Sequence, residues 1–355
     1  MALSFGGGTM VTQLPSTGPA VLPAQKPIRV LVVIVNFRVA DLTIDCLKSI
    51  ADEVQLAPYV RVAVCENGTG DDSAVRIQKA IDDNGWASWC SLIASNSNLG
   101  FTGGNNIILR PAMEATEPPA YFLLLNPDTI VRPHAVEILT SFMDENPHVG
   151  IAGCGMENPD GTGQRSAFRF QTPASEFEGA LRLGLVSRLL KNRIVAPPIR
   201  NEVHQCDWVS GACMMVRREV FANIGLLDEG LFTYFDDCDL CLRACRAGWK
   251  TWYVPEARVV HLVGRSSGIT LHNVKPLPSY YFQARRRYFL RNHGVVFTAL
   301  ADAAAIIGLA LWRLRVLLTN KADRSPPNAL EGTIRQSVFL TGFRVNTVKN
   351  PAVEK

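Results

Sequence analysis

The sequence predicts an α/β chain: a doubly wound, mostly parallel sheet flanked by helices, with a helical extension at the C-terminal end. Three observations carry this. Apolar, β-rich runs alternate with segments whose apolar residues recur at helical spacing. The intervals between runs are long enough for the crossover helices that parallel strands require. Polar residues recur just past the strand ends, the edge where open α/β sheets bind ligands.

The first unit pairs the strand "IRVLVVIVNF" (28–37) with the helix "ADLTIDCLKSIADEV". The second pairs "VRVAVCENG", a strand ending in an acidic turn, with the helix "DDSAVRIQKAIDDNG". "CSLIASN" and "AYFLLLN" supply the third and fourth strands. Asn36, Glu66 with Asn67, Asn98, and Asn126 with Asp128 then stand just beyond successive strands, as the lining of a nucleotide site would. In "LLLNPDTIV", Pro127 cannot donate to a ladder, so the strand stops there and Asp128 is held at its carboxyl end.

"NSNLGFTGGNN" (96–106) follows a strand and opens a helix. Its Gly100, Gly103 and Gly104 either let backbone amides approach a phosphate or make an ordinary tight turn. The segment is neither a GxGxxG fingerprint nor a P-loop. Downstream of a less regular stretch (158–205), "WVSGACMMVRREVFANIGLLDE" reads as strand, turn and helix. "LFTYFDDCDLCLRACRAGW" gathers Asp236, Asp237 and Asp239 behind aromatic residues. Three carboxylates so close repel one another unless a cation, a proton-transfer role or a helix N-terminus offsets the cost. We expect one to cap the helix and another to work. "WYVPEARVVHLVGRSS" is a strand whose end presents His261, followed by Gly264, Arg265, Ser266 and Ser267. After two acidic motifs, that histidine is a metal candidate.

Composition narrows the function classes. A chain of 355 residues with 47% hydrophobic residues buries a large core. The net charge of +4 comes without a long basic stripe, which argues against a nucleic-acid surface. Nine cysteines lack the spacing of a secreted disulfide framework, so reduced thiols in a cytoplasmic setting are expected. Cys238, Cys241 and Cys245 fall along one side of a helix, but no second knuckle completes a tetrahedral zinc set. Small buried hydrophobes are the better reading of them.

Residues 1–27 have neither the basic start nor the apolar core of a signal peptide and read as a flexible tail. "GVVFTALADAAAIIGLALWRLRVLL" is long and apolar, but Asp302 interrupts it and Arg313 and Arg315 follow. A helix lying on a membrane surface or packed on the main domain is expected in place of a spanning one. "YYFQARRRYFLRNHG" (280–294) sets aromatic rings beside Arg285, Arg286, Arg287 and Arg291. This suits either anionic headgroups, through a peripheral contact over 280–319, or a helix closing over the domain.

Taken in order, "VIVNF", "ENG", "NSNLGFTGGNN", "LLLNPDT", "WVSGACMMVRREVF", "YFDDCDLCLRACRAGW" and "VPEARVVHLVGRSS" resemble the family 2 glycosyltransferases, in particular their bacterial rhamnosyltransferase-like branch, over about 28–295. The resemblance implies the GT-A fold over 28–270, with a nucleotide-binding half (28–130), an acceptor half (131–270) and a helical extension (271–355). It implies a nucleotide diphosphate sugar donor, a glycan or lipid-linked acceptor, a divalent cation (Mg2+ or Mn2+) and inversion at the anomeric centre. Asp128 of "NPD" would bind the metal, with Asn126 in place of an acid, and His261 would complete the site. Asn36 and Glu66 match positions near base and ribose, with Asn67, Asn98, Gly100, Gly104, Asn105 and Asn126 alongside. Asp237 matches the catalytic base and Asp236 the neighbouring acid that orients the acceptor. A sugar-phosphate nucleotidyltransferase fits less well, because "GGGTM" lacks a preceding strand and an arginine. A catalytically silent, nucleotide-holding scaffold subunit is the competing reading.

Overall fold

The structure, a computed structural model, describes residues 28–262, 275–319, 323 and 325–348. The expected tail (1–27), the Gly264–Ser267 segment and the boundary near 270 lie outside the described residues.

The order β1 (Val30–Asn36), α1 (Ala40–Leu56), β2 (Val60–Glu66), α2 (Ser73–Asp83), β3 (Cys90–Ala94), α3 (Gly100–Met113) and β4 (Tyr121–Leu125) reproduces the alternation expected from the sequence. The strands pair in the order β3-β2-β1-β4, all parallel. Alternate residues of β1 feed two cores. Val30, Val32 and Ile34 face Leu47 and Ile50 of α1 and Ile77 of α2, whereas Leu31, Val33 and Val35 share the other face with Ile108 and Leu109 of α3. Helices on both faces explain why these strands are apolar throughout instead of alternating.

The second half departs from the mostly parallel expectation. It runs through β5 (Thr129–Val131), α4 (Ala135–Glu145), β6 (Val149–Glu157), β7 (Gly163–Gln164), β8 (Ala167–Phe168), α5 (Pro173–Leu181), α6 (Gly184–Leu189), β9 (His204–Cys206), β10 (Trp208–Val209), β11 (Cys213–Arg217), α7 (Arg218–Ile224), α8 (Asp236–Arg246) and β12 (Lys250–His261). The sheet continues β4-β11-β6-β12-β5, and β11 is antiparallel to both β4 and β6. β12 is parallel to β6 and antiparallel to β5. The result is a mixed sheet. An apolar run buried on both faces reads the same in either direction, so strand polarity was not legible from "ACMMV".

The extension is α9 (Ser279–Thr319), broken at Gly294, then α10 (Ala329–Gln336) and α11 (Val338–Thr341). Gly294 has φ 78°, a value glycine adopts without the Cβ penalty, and the chain bends there. Before the bend, the arginines of 280–294 are taken up internally. Arg285 is buried and ion-paired to Asp302 and to Glu176 of α5. Arg286 donates to the Gly342 carbonyl, and Arg287 and Arg291 both pair with Asp228. Of the two readings for 280–294, the structure shows the helix that closes over the domain.

Cys238 and Cys241 are buried and Cys245 is exposed. Cys238 Sγ lies 3.0 Å from Gln171 Oε1 and 3.1 Å from the Tyr288 hydroxyl, and burial pushes its thiol well up.

Candidate active site

The β4–β5 turn and the end of β12 build one corner of a cleft. After β4, the Asn126 amide donates to the Ala212 carbonyl, and the Thr129 hydroxyl closes the turn onto the Asn126 carbonyl at 2.7 Å. β5 then pairs with β12 in a register that sets His261 opposite Thr129, while the Leu262 amide donates to the Asp128 carbonyl. Residues 133 positions apart therefore meet, with His261 Nε2 at 3.5 Å from Asp128 Oδ1. Asp128 is buried to 1% exposure. A charge is stable there only with a partner, and an imidazole beside a carboxylate at a cleft mouth is a donor pair for a cation.

The N-terminus of α3 forms the adjoining wall. Asn67 Oδ1 accepts from the Leu99 amide at 3.0 Å, Asn98 Oδ1 accepts from the Gly100 amide at 2.9 Å, and Asn67 Nδ2 donates to the Gly100 carbonyl. The two asparagines satisfy backbone groups at the helix start, which the helix itself leaves unpaired. Gly100 has φ 71°, and a Cβ there would sit 2.3 Å from the Phe232 carbonyl oxygen. Only glycine lets the two chains approach this closely. Gly104 serves packing, since its Cβ would meet Val35 at 2.7 Å.

The acid pair enters from α8. Asp236, Asp237 and Asp239 all lie in its first turn, where carboxylates complement the helix dipole. Their tasks separate by contact. Asp239 is consumed structurally, accepting from Arg243 Nε and Asn292 Nδ2, each at 2.7 Å. Asp236 and Asp237 both line the cleft. Burial pushes both carboxyls above the ordinary range, and the Asp237 charge pushes Asp236 further, while the amides of Gly211 and Cys238 hold Asp237 down. Two raised carboxyls side by side disfavour the doubly ionised pair, an arrangement suited to acid–base chemistry. The segment feeding α8 is strained: Phe232, Tyr234 and Phe235 all have positive φ, at a cost of roughly 1–3 kcal/mol each.

These corners surround one cleft of about 710 Å³, within the range of small-molecule sites. Asn67, Asn98, Gly100, Asn126, Asp128, Asp236, Asp237 and His261 line it. Asn36, Glu66, Gly104 and Asn105 stand behind its wall. Asn36 accepts from the Thr43 hydroxyl and leaves its buried Nδ2 without a partner among the described residues; Glu66 accepts from the Thr69 amide; Asn105 donates to the Phe101 carbonyl.

Sequence reasoning missed the aromatic side of the cleft. Phe168 stacks on Trp208 with centroids 4.2 Å apart, and Tyr234 stacks on Tyr280 at 5.8 Å with Tyr281 edge-on at 5.3 Å. Rings of this kind offer flat apolar faces to a ligand in the cleft. The clustered rings in "LFTYFDD" and "YYFQ" were the available signal, but nothing in the sequence showed that they meet.

The donor set fits a hard divalent ion carried with the substrate. Among the described residues no group of three or more His, Cys, Asp and Glu is assembled, so Asp128 and His261 would leave most coordination positions of a divalent ion to ligand and water oxygens.

Comparison with known proteins is consistent with this geometry. The structure resembles a mannosyltransferase from Pyrobaculum calidifontis solved with GDP-Man and Mn2+, with TM-score 0.52 at 14% identity over 90% of this chain and 85% of that one. It also resembles GalNAc-T7 solved with UDP, GalNAc and Mn2+, with TM-score 0.54 at 13% identity over 83% and 55%. Both likenesses support the GT-A fold. In sequence, the chain is 31% identical to N-acetylglucosaminyl-diphospho-decaprenol L-rhamnosyltransferase of Mycobacterium tuberculosis over 50% of this chain and 60% of that protein. It is 27% identical to Rhamnosyltransferase WbbL of Escherichia coli over 47% and 62%. The matches thus span less than two thirds of either relative's length. The profile of the Glycosyltransferase like family 2 matches residues 27–275, which takes in every strand of the sheet and all the cleft residues except those of α9. The chain belongs to the Glycosyltransferase like family 2.

Proposed function

We propose that the protein is an inverting glycosyltransferase that moves a sugar, rhamnose by analogy with its relatives, from a nucleoside diphosphate to a glycan or lipid-linked acceptor. The observation that carries this reading is the cleft itself, with a metal-type donor pair (Asp128 and His261) at one corner and an acid pair (Asp236 and Asp237) at the other. The activities named for its relatives support the sugar and a diphospho-lipid acceptor.

Asp128 and His261 would hold a divalent cation, Mg2+ or Mn2+, which when bound supplies positive charge to the leaving diphosphate. The start of α3, its Leu99 and Gly100 amides already held by Asn67 and Asn98, offers the positive end of its dipole to the same anion. Tyr234, Tyr280, Tyr281 and the Phe168–Trp208 pair hold the acceptor. Asp237 takes the proton of the attacking hydroxyl as its oxygen bonds to the anomeric carbon and the bond to the diphosphate oxygen breaks. One displacement inverts the centre, with no covalent enzyme intermediate. Asp236, kept protonated, donates a hydrogen bond that orients the acceptor. All nine cysteines are free, which supports a cytoplasmic setting.

The experiment is incubation with dTDP-rhamnose and a polyprenyl-diphosphate-linked amino sugar, with the product read by mass spectrometry. A rhamnosylated lipid with inverted anomeric configuration is expected. Bound nucleotide without any transfer, across dTDP-, UDP- and GDP-sugars, overturns the enzyme reading in favour of a scaffold.

A further inference from the structure

Beyond Gly294, α9 presents its large side chains outward and its small ones inward. Thr298, Ala301, Asp302, Ala305 and Gly308 are buried, and a Cβ at Gly308 would stand 2.7 Å from the Ala180 Cβ of α5. Val296, Leu300, Ile307, Leu311, Leu314 and Leu318 lie on the opposite side, exposed by 75%, 57%, 53%, 44%, 52% and 77%. They recur at intervals of three, four and seven residues, so they form one stripe about 33 Å long at 1.5 Å per residue. A helix facing water carries the reverse pattern.

One neighbour extends the apolar surface: α6 exposes Leu185 and Leu189, and the Arg182 guanidinium just before it lies 5.9 Å over Trp312 near the far end of the stripe. The charge around this surface is predominantly positive, although Asp323 accepts from Trp312 Nε1 near the far end of the stripe and Glu178 accepts from Ser187 of α6. Residues 182–200 carry five basic side chains and no acid, and the only acid within 279–319 is Asp302, buried against Arg285.

We propose that this face docks the protein peripherally on an anionic lipid bilayer, with the second part of α9 lying in the plane of the interface. The helix is long and apolar enough to cross a membrane, but one side of it is packed on α5 and holds an ion pair, which leaves only the stripe for lipid. A second copy of the chain fits less well, because an isologous contact would set two predominantly basic margins against each other with few acids to offset them. Anionic headgroups neutralise them. The contact expected over 280–319 is thereby narrowed to 296–318. Because α9 starts with Tyr280 and Tyr281 in the cleft wall, the element that docks also lines the site. Docking rests on the transfer reading only for the nature of the acceptor, and vesicle binding is read without nucleotide.

The test is flotation of the full chain with phosphatidylglycerol-containing vesicles and with pure phosphatidylcholine vesicles, at low and high salt. Two variants accompany it: L300E/I307E/L314E in the stripe and R188E/K191E at its margin. Binding to the anionic vesicles is expected, with about a tenfold loss in either variant and in high salt, and with dTDP binding unchanged in both. Vesicle binding without nucleotide binding in the wild type supports docking and counts against the transfer reading. Wild type left unfloated by anionic vesicles, stripe-variant binding equal to wild type, or a dimer that the stripe variant abolishes without any vesicle binding, overturns the proposal.

Discussion

His261 Nε2 lies 3.5 Å from Asp128 Oδ1 because β5 and β12 pair with His261 opposite Thr129. Two side chains alone make a poor cage for a hard cation, and on the proposed reading a nucleoside diphosphate would supply the missing oxygens. Mn2+ is therefore expected to bind weakly by itself and at least about tenfold more tightly with dTDP present. Electron paramagnetic resonance of free Mn2+ reads this directly, and tight binding without nucleotide would mean that a third protein ligand exists.

Asp237→Asn should retain nucleotide binding and lose roughly 10²–10⁴-fold in turnover, the usual contribution of a positioned base. The wild-type rate should rise with pH through a midpoint above the ordinary carboxylate range, since burial raises Asp237 and the base must be ionised. A pH–rate profile in saturating donor checks both. A full rate in the variant removes Asp237 from the chemistry.

Asp236 is raised by burial and by the Asp237 charge. A carboxyl that binds its proton more tightly when folded loses stability as pH rises from its unfolded value through its folded one. Asp236→Asn removes that loss, so the variant should melt higher than wild type at neutral pH, by roughly 2–4 °C per kcal/mol recovered. The gain should vanish near pH 4. Calorimetry at the two pH values decides, and equal melting temperatures at neutral pH would mean that the pair is not in conflict.

Gly100→Ala combines a φ of 71° with a Cβ 2.3 Å from a backbone oxygen, so it should destabilise by at least roughly 1–3 kcal/mol. Urea unfolding measures this. An unchanged midpoint would show that the Phe232 segment yields freely.

Arg285→Ala strands the buried Asp302 carboxylate and leaves the half-buried Glu176 without its guanidinium. A loss of about 3–5 kcal/mol is expected, and Arg285→Met should lose no less charge pairing but leave a smaller void. Chemical denaturation of both variants separates charge from packing.

The legible part of this protein is local. β1 to β4 showed because apolar runs end at polar residues, and Asp128 showed because a proline stops its strand. β6 was missed because Gly150, Gly153 and Gly155 dilute its β-propensity; in the fold a Cβ at Gly153 would sit 2.5 Å from the Val209 Cβ, so close packing demands the glycine. The Phe168–Trp208 stack joins residues 40 positions apart, and the fate of the arginines in 285–291 depends on Glu176, Asp228 and Asp302, which no local pattern assigns to them. Contacts made across the fold leave no period in the sequence.

The most direct measurement is calorimetric titration of dTDP, UDP and GDP into the protein with and without Mn2+, repeated on Asp128→Asn. The account predicts that one nucleotide binds, that Mn2+ tightens it, and that the variant loses about 100-fold, or roughly 2.7 kcal/mol. Metal-independent binding, or binding untouched by Asp128→Asn, would contradict it.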